Sequence, residues 1–302
     1  MSARTKSILL TGGRSLLGMH VAAQAGRIRR ISRDPSFGAD VTGDLRNNAD
    51  AQRAMQGCDT VIHVAMRGPN TSAAQTPVLT ETENLQTTRA VLRAALRSQV
   101  SRVVVGVPTT PRPNDRLLST IADARVQGLD VRVLHHPTPV GRLDIGPSWF
   151  GRAMLRFAAG GIRTFVPGSL ALIPAAQVAS ALVRVAHEDL SANSDRSLPG
   201  ESLDVHEVLE LWADGFGPRS RPWSRPGVLR SLGRRVATPW MRRLLSDDFD
   251  PREAGPNPPR TDIYPTLSVE HPSSVADAVE ESISWFAEHG RVRLAREQHL
   301  AS

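Results

Sequence analysis

Tyrosine and lysine each occur once in this chain of 302 residues, as Tyr264 and Lys6. No tyrosine is therefore followed one helical turn later by a lysine, and any chemistry built on that pair is excluded. Cysteine also occurs once, at Cys58, which excludes an internal disulfide and a cysteine-based zinc site. Aromatic residues are 4% of the chain, too few for the stacking platforms of a single-strand nucleic-acid binder. No stretch approaches the roughly 18 unbroken apolar residues of a membrane span. Arg4 and Lys6 are followed by only a short apolar run and then glycine, so no signal peptide is expected. The absences together lead to the expectation of a soluble, cytoplasmic protein that binds neither membrane nor nucleic acid.

Positive charge is plentiful. Lysine and arginine number 37 against 30 acidic residues, a formal charge of +7, and all but one of the bases are arginine. The arginines are scattered rather than run together, so anionic small ligands suit them better than a nucleic-acid backbone. Apolar residues make up 40%, enough for a buried core. The length fits one large domain, or a main domain with a smaller appendage.

Up to about residue 140 the pattern alternates. Strands are expected over 7–11, 27–32, 60–65, 102–107 and 131–135, and helices over 15–25, 50–56, 83–98 and 114–127. Leu85, Val91, Leu92, Ala95 and Leu96 form the apolar stripe of the third helix. This alternation predicts an α/β fold, a Rossmann-type doubly wound parallel sheet covered on both faces. The second half is more irregular, with helices expected over 175–188, 204–215 and 273–289 and a helical piece over 228–245. It reads as a smaller, mostly helical C-terminal substrate lobe. The expected division is a dinucleotide-binding domain over 1–145 and a lobe over 146–302, with a lid at about 219–250.

The turn after the first strand reads T-G-G-R-S-L-L-G from Thr11 to Gly18. A turn between strand and helix holds a pyrophosphate on backbone N–H groups and the helix dipole. Thr11, Gly12 and Gly18 match T-G-x-x-G-x-x-G, the fingerprint of short-chain dehydrogenases/reductases, with Ser15 in place of the middle glycine. Serine is small, and its hydroxyl can donate to phosphate. Five further stretches resemble this family in order and spacing: Gly43-Asp44-Leu45, Val61 to Ala65, the helix from Asn84, R-V-V-V-G-V from Arg102, and V-R-V-L-H-H-P-T-P-V-G from Val131. The resemblance is to its NAD-dependent epimerase/dehydratase group and implies a dinucleotide site. Gly12, Arg14, Ser15, Leu16 and Leu17 would cradle pyrophosphate. Asp44 would meet the adenine and Leu45 pack on it. Val64, Ala65, Met66, Val107 and Pro108 would line the cofactor, with His136 and Pro137 beside the nicotinamide.

NAD-binding members end the second strand on an acidic residue that holds the ribose. Here that strand reads R-I-R-R-I-S-R-D. Arg33, with Ser32 and Arg30 nearby, would grip a 2′-phosphate, which favours NADPH over NADH. The other reading leaves the arginines solvated and gives the ribose to Asp34, so NADH stays open.

The family normally protonates its substrate through Ser and Y-x-x-x-K. Tyr264 lies far beyond the nucleotide domain, and residues 108–130 hold room for one helix and little else. Losing a positioned acid costs roughly 10²–10⁴-fold. Weak substitutes are His136, with a backbone-bonded structural role as the other reading, and Thr109 or Thr110. A ketone beside a phenol would carry its own proton. The chain resembles antibiotic-pathway reductases that lack Ser-Tyr-Lys, which implies an NADPH-dependent ketoreductase acting on a polycyclic aromatic polyketide. A non-catalytic NADP(H)-binding regulator and a non-redox isomerase or cyclase remain as alternatives.

Trp149, Phe150, Met154, Phe157, Trp223, Trp240 and Met241 gather in the second half, with Pro218, Pro222, Pro226 and Pro239 flanking two of the tryptophans. They would form a lid over a flat aromatic ligand, rimmed by Arg230, Arg234, Arg235, Arg242 and Arg243. Ordinary core for the tryptophans and a solvated face for the arginines is the other reading. A monomer or homodimer is expected, with no metal.

Overall fold

The computed structural model describes residues 7–35, 38–66, 77–109 (backbone alone at 77–80), 115–160, 169–188, 191–217, 264–268 and 273–292. The expected lid and the helical piece over 228–245 lie outside them, as do Lys6 and Thr110.

Seven strands form one parallel sheet in the order β3-β2-β1-β4-β5-β6-β9. They are β1 (Ile8–Thr11), β2 (Ile28–Ser32), β3 (Val41–Thr42), β4 (Thr60–His63), β5 (Arg102–Pro108), β6 (Asp130–His136) and β9 (Asp195–Ser197). Helices α1 (Leu16–Gln24), α2 (Asn48–Met55), α3 (Pro77–Arg97) and α4 (Asp115–Val126) connect the first six. The central strands are apolar without alternation because helices cover both faces. On β5, Val103, Val105 and Val107 pack with Ala51, Met55, Val91 and Leu92 of α2 and α3. The intervening Val104 packs with Val178 and Leu182 of α6 (Ala175–His187) on the opposite face.

A second sheet runs β10-β8-β7, from β7 (Thr138–Val140), β8 (Ser169–Pro174) and β10 (Glu201–Asp204). With α5 (Trp149–Ala158), α7 (Val205–Phe216) and α8 (Val275–Glu288) it builds a separate core around Phe150, Phe157, Trp212 and Phe286. Capping boxes start α7 at Asp204 with Glu207 and α8 at Ser274 with Asp277.

The helices over 175–188, 204–215 and 273–289 are found close to their expected limits. The small sheet and α5 carry no sequence expectation. The division at residue 145 is not where the large sheet ends. The chain returns to cover that sheet with α6 and to extend it with β9, beside β6 at Val133↔Asp195. Residues 264–268 follow β9, where the Ser197 N–H donates to Pro265 O and Leu267 N–H to Ser197 O. Among the described residues no helix is long and apolar enough to cross a membrane.

Candidate active site

The strand order reverses at β1, whose neighbours β2 and β4 lead to opposite edges of the sheet. A crevice opens there, beyond the carboxyl ends of the strands. Its floor is the β1–α1 turn. Gly12 has φ +78°, and a Cβ on it would lie 2.7 Å from the Ala65 nitrogen. A Cβ at Gly18 would lie 2.1 Å from the Gly12 oxygen. Only glycine fits either position, because the turn lies directly against the end of β4. Gly13 has room for a side chain.

Ser15 caps α1. Its hydroxyl donates to the Gly12 carbonyl at 2.8 Å and accepts from the Gly18 N–H at 3.0 Å. The expectation that this hydroxyl donates to phosphate is corrected: its hydrogen is engaged inside the turn. The N–H groups of Leu16 and Leu17 lie in the first helical turn, where there is no intrahelical acceptor, the place at which a helix N-terminus can take an anion.

At the adenosine end, Arg14 pairs with Asp34 at 3.1 Å. Asp34, the acidic residue available for the ribose, thus has its charge offset by a guanidinium beside it. Arg33 is exposed, and its charge reaches Asp44. Arg30 donates to Gly38 O, and its stem packs on Gly13. The Asp44 carboxylate is gripped by Arg46 at 2.7 Å, and the Arg46 hydrogen bond holds its pKa below the usual range. Leu45 packs on the α2 side of the core.

Toward the substrate end the crevice becomes a cavity of about 280 Å³. It is lined by Ser15, Leu16, Leu17, Val64, Met66, Gly106, Pro108 and His136 from the large sheet and its helix α1, and by Thr138, Pro139, Gly146, Pro147, Ser148, Trp149 and Arg152 from the chain that follows. Three expected lining residues are not among these: Ala65 lies against the Gly12 turn, and Val107 and Pro137 are turned away. Val107 points into the core beside α3 and α4, because alternation along β5 turns Gly106 to the cavity instead. Pro137 is buried against Gly200, and its neighbours His136 and Thr138 face the cavity. Of the tryptophans and phenylalanines expected to meet a ligand, Trp149 lines the cavity, while Phe150, Met154 and Phe157 belong to the lobe's core.

The substitute acids are also resolved. His136 Nδ1 lies 2.7 Å from Pro137 O; a carbonyl only accepts, so Nδ1 carries the hydrogen. Nε2, on the side of Gly106, is left with a lone pair. Burial pushes His136 down to about 4, so it holds no spare proton at neutral pH. The backbone-bonded reading of this histidine is the correct one. The Thr109 hydroxyl donates to His136 O at 3.1 Å and is likewise occupied. Tyr264 stacks on His135 at 4.2 Å and is not among the residues lining the cavity.

Sequence reading missed the Asp144–Ser148 pair. Asp144 is 2% exposed, and its carboxylate accepts from Ser148 N–H at 2.8 and 2.9 Å and from the Ser148 hydroxyl at 2.7 Å. Ser148 in turn caps α5 by accepting from Gly151 N–H. Burial raises Asp144 to about 6. A serine ahead of the apolar run from Trp149 was a readable capping signal; a carboxyl buried beneath it was not.

The site fits a dinucleotide on its own geometry, since no side chain fits at Gly12 or Gly18 and the first turn of α1 offers N–H groups that have no intrahelical acceptor. Comparison with known proteins agrees. Residues 8–108 match the NAD dependent epimerase/dehydratase family. The chain is 24% identical over 294 residues to "Sterol demethylase protein B" of Methylococcus capsulatus, covering 83% of this chain and 85% of that one. It is 23% identical over 347 residues to "Putative dihydroflavonol 4-reductase" of Synechocystis, covering 96% and 97%. Among solved structures it resembles a nucleoside-diphosphate-sugar epimerase from Pseudomonas aeruginosa, at TM-score 0.65, 20% identity and 96% and 100% coverage. It also resembles a dTDP-glucose 4,6-dehydratase from Streptomyces venezuelae with NAD bound, at TM-score 0.63, 17% identity and 93% and 97% coverage. At these identities the structural likenesses show the fold.

Proposed function

We propose that this chain, whose residues 8–108 match the NAD dependent epimerase/dehydratase family, is an NADPH-dependent ketoreductase of polycyclic aromatic ketones. The observation that carries the reading is the cavity itself. It continues from the β1–α1 turn to Trp149, Pro139 and Pro147, and among the described residues no tyrosine or lysine lines it. The two curated relatives support a polycyclic substrate, since one is named for a sterol and the other for a dihydroflavonol. The proposed type of activity is that of an angucyclinone ketoreductase, such as the one of simocyclinone biosynthesis.

When bound, the reduced nicotinamide supplies hydride. The protein's part is to hold both partners in register, which by itself is worth several kcal/mol. Leu16 and Leu17 N–H groups would take the pyrophosphate, and Arg33 the 2′-phosphate. The Arg14–Asp34 pair supports NADPH, because an Asp34 whose charge is offset repels that phosphate less. Trp149 and Met66 would hold the flat face of the substrate, with Arg152 toward its acidic oxygen. His136, neutral and fixed by Pro137 O, shapes the pocket without giving up a proton. A phenol next to the ketone would pass its proton to the reduced oxygen and spread the charge over the ring.

The test is to incubate the protein with NADPH and a phenolic polycyclic ketone and to follow both cofactor oxidation and product. Oxidation matched by alcohol supports the reductase. Tight NADPH binding without turnover across such ketones would favour a cofactor-binding regulator, and rearranged substrate with unchanged cofactor an isomerase.

A further inference from the structure

The geometry points to the Asp144–Ser148 pair as a proton relay that opens on the substrate end of the cavity and restores a proton to the substrate's oxygen. The inference rests on the reductase reading above and supplies what that reading lacks, a proton source in the protein.

Three features carry it. The Asp144 carboxyl is buried, and Ser148, whose hydroxyl lies 2.7 Å from its Oδ2, is one of the residues lining the cavity. The carboxyl is let in by a glycine: a Cβ at Gly151 would lie 2.2 Å from Asp144 Oδ2 and 3.0 Å from the Phe286 ring. Valence then sets the direction of transfer. Ser148 Oγ already accepts from Gly151 N–H at 3.0 Å. When Asp144 is ionised, the serine hydrogen points at it. When Asp144 is protonated, its O–H fills the second lone pair of Ser148, and the serine hydrogen turns away, toward the cavity. The proton therefore reaches substrate only through Ser148.

Hydride addition to the ketone carbon, with a dihydronicotinamide as reductant, leaves the C=O electron pair on oxygen. That oxygen, or the phenolate left once a neighbouring phenol has protonated it, takes the Ser148 hydrogen. Ser148 takes the Asp144 proton, and Asp144 is left as carboxylate until solvent reprotonates it. Arg152 on α5 is the charged group whose field reaches Asp144 and opposes its protonation. From α8 the same spot meets the uncharged ring of Phe286. Burial outweighs the arginine and keeps the carboxyl titrating near 6.

Two readouts test the relay. In the cofactor-free protein, an infrared pH titration should show a protonated carboxyl band that is absent in D144N and titrates near 6. In turnover, wild-type kcat should fall as pH rises through that value. D144N and S148A should lose this limb and fall about 10²-fold or more at the acid end. S148T, which keeps the hydroxyl and the helix cap, should restore both rate and limb, so a merely structural loss in S148A is told apart. A D144N or S148A protein that turns over with the wild-type pH profile overturns the relay alone, as does an Asp144 band that titrates in the ordinary carboxylate range. A wild-type protein that oxidises no NADPH with phenolic ketones overturns the reductase reading and the relay together.

Discussion

The Ser15 hydroxyl donates to the Gly12 carbonyl oxygen at 2.8 Å and closes the β1–α1 turn on itself. Ser15→Ala should therefore cost about 1 kcal/mol of stability, as loss of an N-cap does, and leave NADPH affinity nearly unchanged. Thermal melts and a fluorescence titration check both. A hydroxyl bonded to phosphate would instead give an affinity loss of about tenfold or more.

Gly12→Ala should behave differently. The new Cβ would lie within 2.8 Å of the Val64 carbonyl carbon and the Ala65 Cα, in a backbone conformation at φ +78°. Strain of roughly 1–3 kcal/mol and a displaced turn are expected. NADPH binding should be lost in the titration even where circular dichroism shows a folded protein.

Arg33→Ala should cut the preference for NADPH over NADH by about tenfold, the worth of one charge-assisted bond to a 2′-phosphate. NADH affinity should stay as it is. An unchanged ratio of dissociation constants would give the exposed Arg33 no part in the site.

Tyr264→Phe should leave turnover untouched. The ring stacks on His135, on the face of β6 opposite His136, and phenylalanine preserves that stack. A large fall in kcat would place the only phenol in the chemistry after all.

Stability should depend on pH in two opposed ways. His63, bonded to Thr11 at 2.6 Å and Thr88 at 3.0 Å, is pushed by burial from 6.5 to about 4. His136 is pushed to about 4 as well. The unfolded chain binds these protons first, so each histidine costs up to about 3 kcal/mol as pH falls from 6.5 through about 4. Asp144, raised from 3.8 to about 6, has the opposite sign. Its contribution is full below 3.8 and is lost as pH rises through about 6, again by about 3 kcal/mol. Denaturant titrations should show wild type losing stability on acidification, and D144N losing it more steeply.

Much of the cofactor half was legible because its signals are local. A strand, a glycine turn and an amphipathic helix follow one another within Ile8–Gln24, and buried parallel strands read as apolar runs. Side-chain direction was less legible: a shift of one residue along β5 exchanged Gly106 for Val107 at the cavity. The substrate end was hardest. Its residues come from β7 and the loop before α5, short elements with no periodicity of their own. Asp144 became visible only when Gly151 and Phe286, far apart in sequence, closed over it. The return of β9 to the large sheet is a long-range pairing that no local pattern announces.

The most direct test uses NADPH with both hydrogens at the nicotinamide C4 replaced by deuterium and a phenolic polycyclic ketone, with the product read by mass spectrometry. A single deuterium on the new carbinol carbon is the expected result. Alcohol free of deuterium, or no alcohol at all while the cofactor is shown to be bound, would contradict the account.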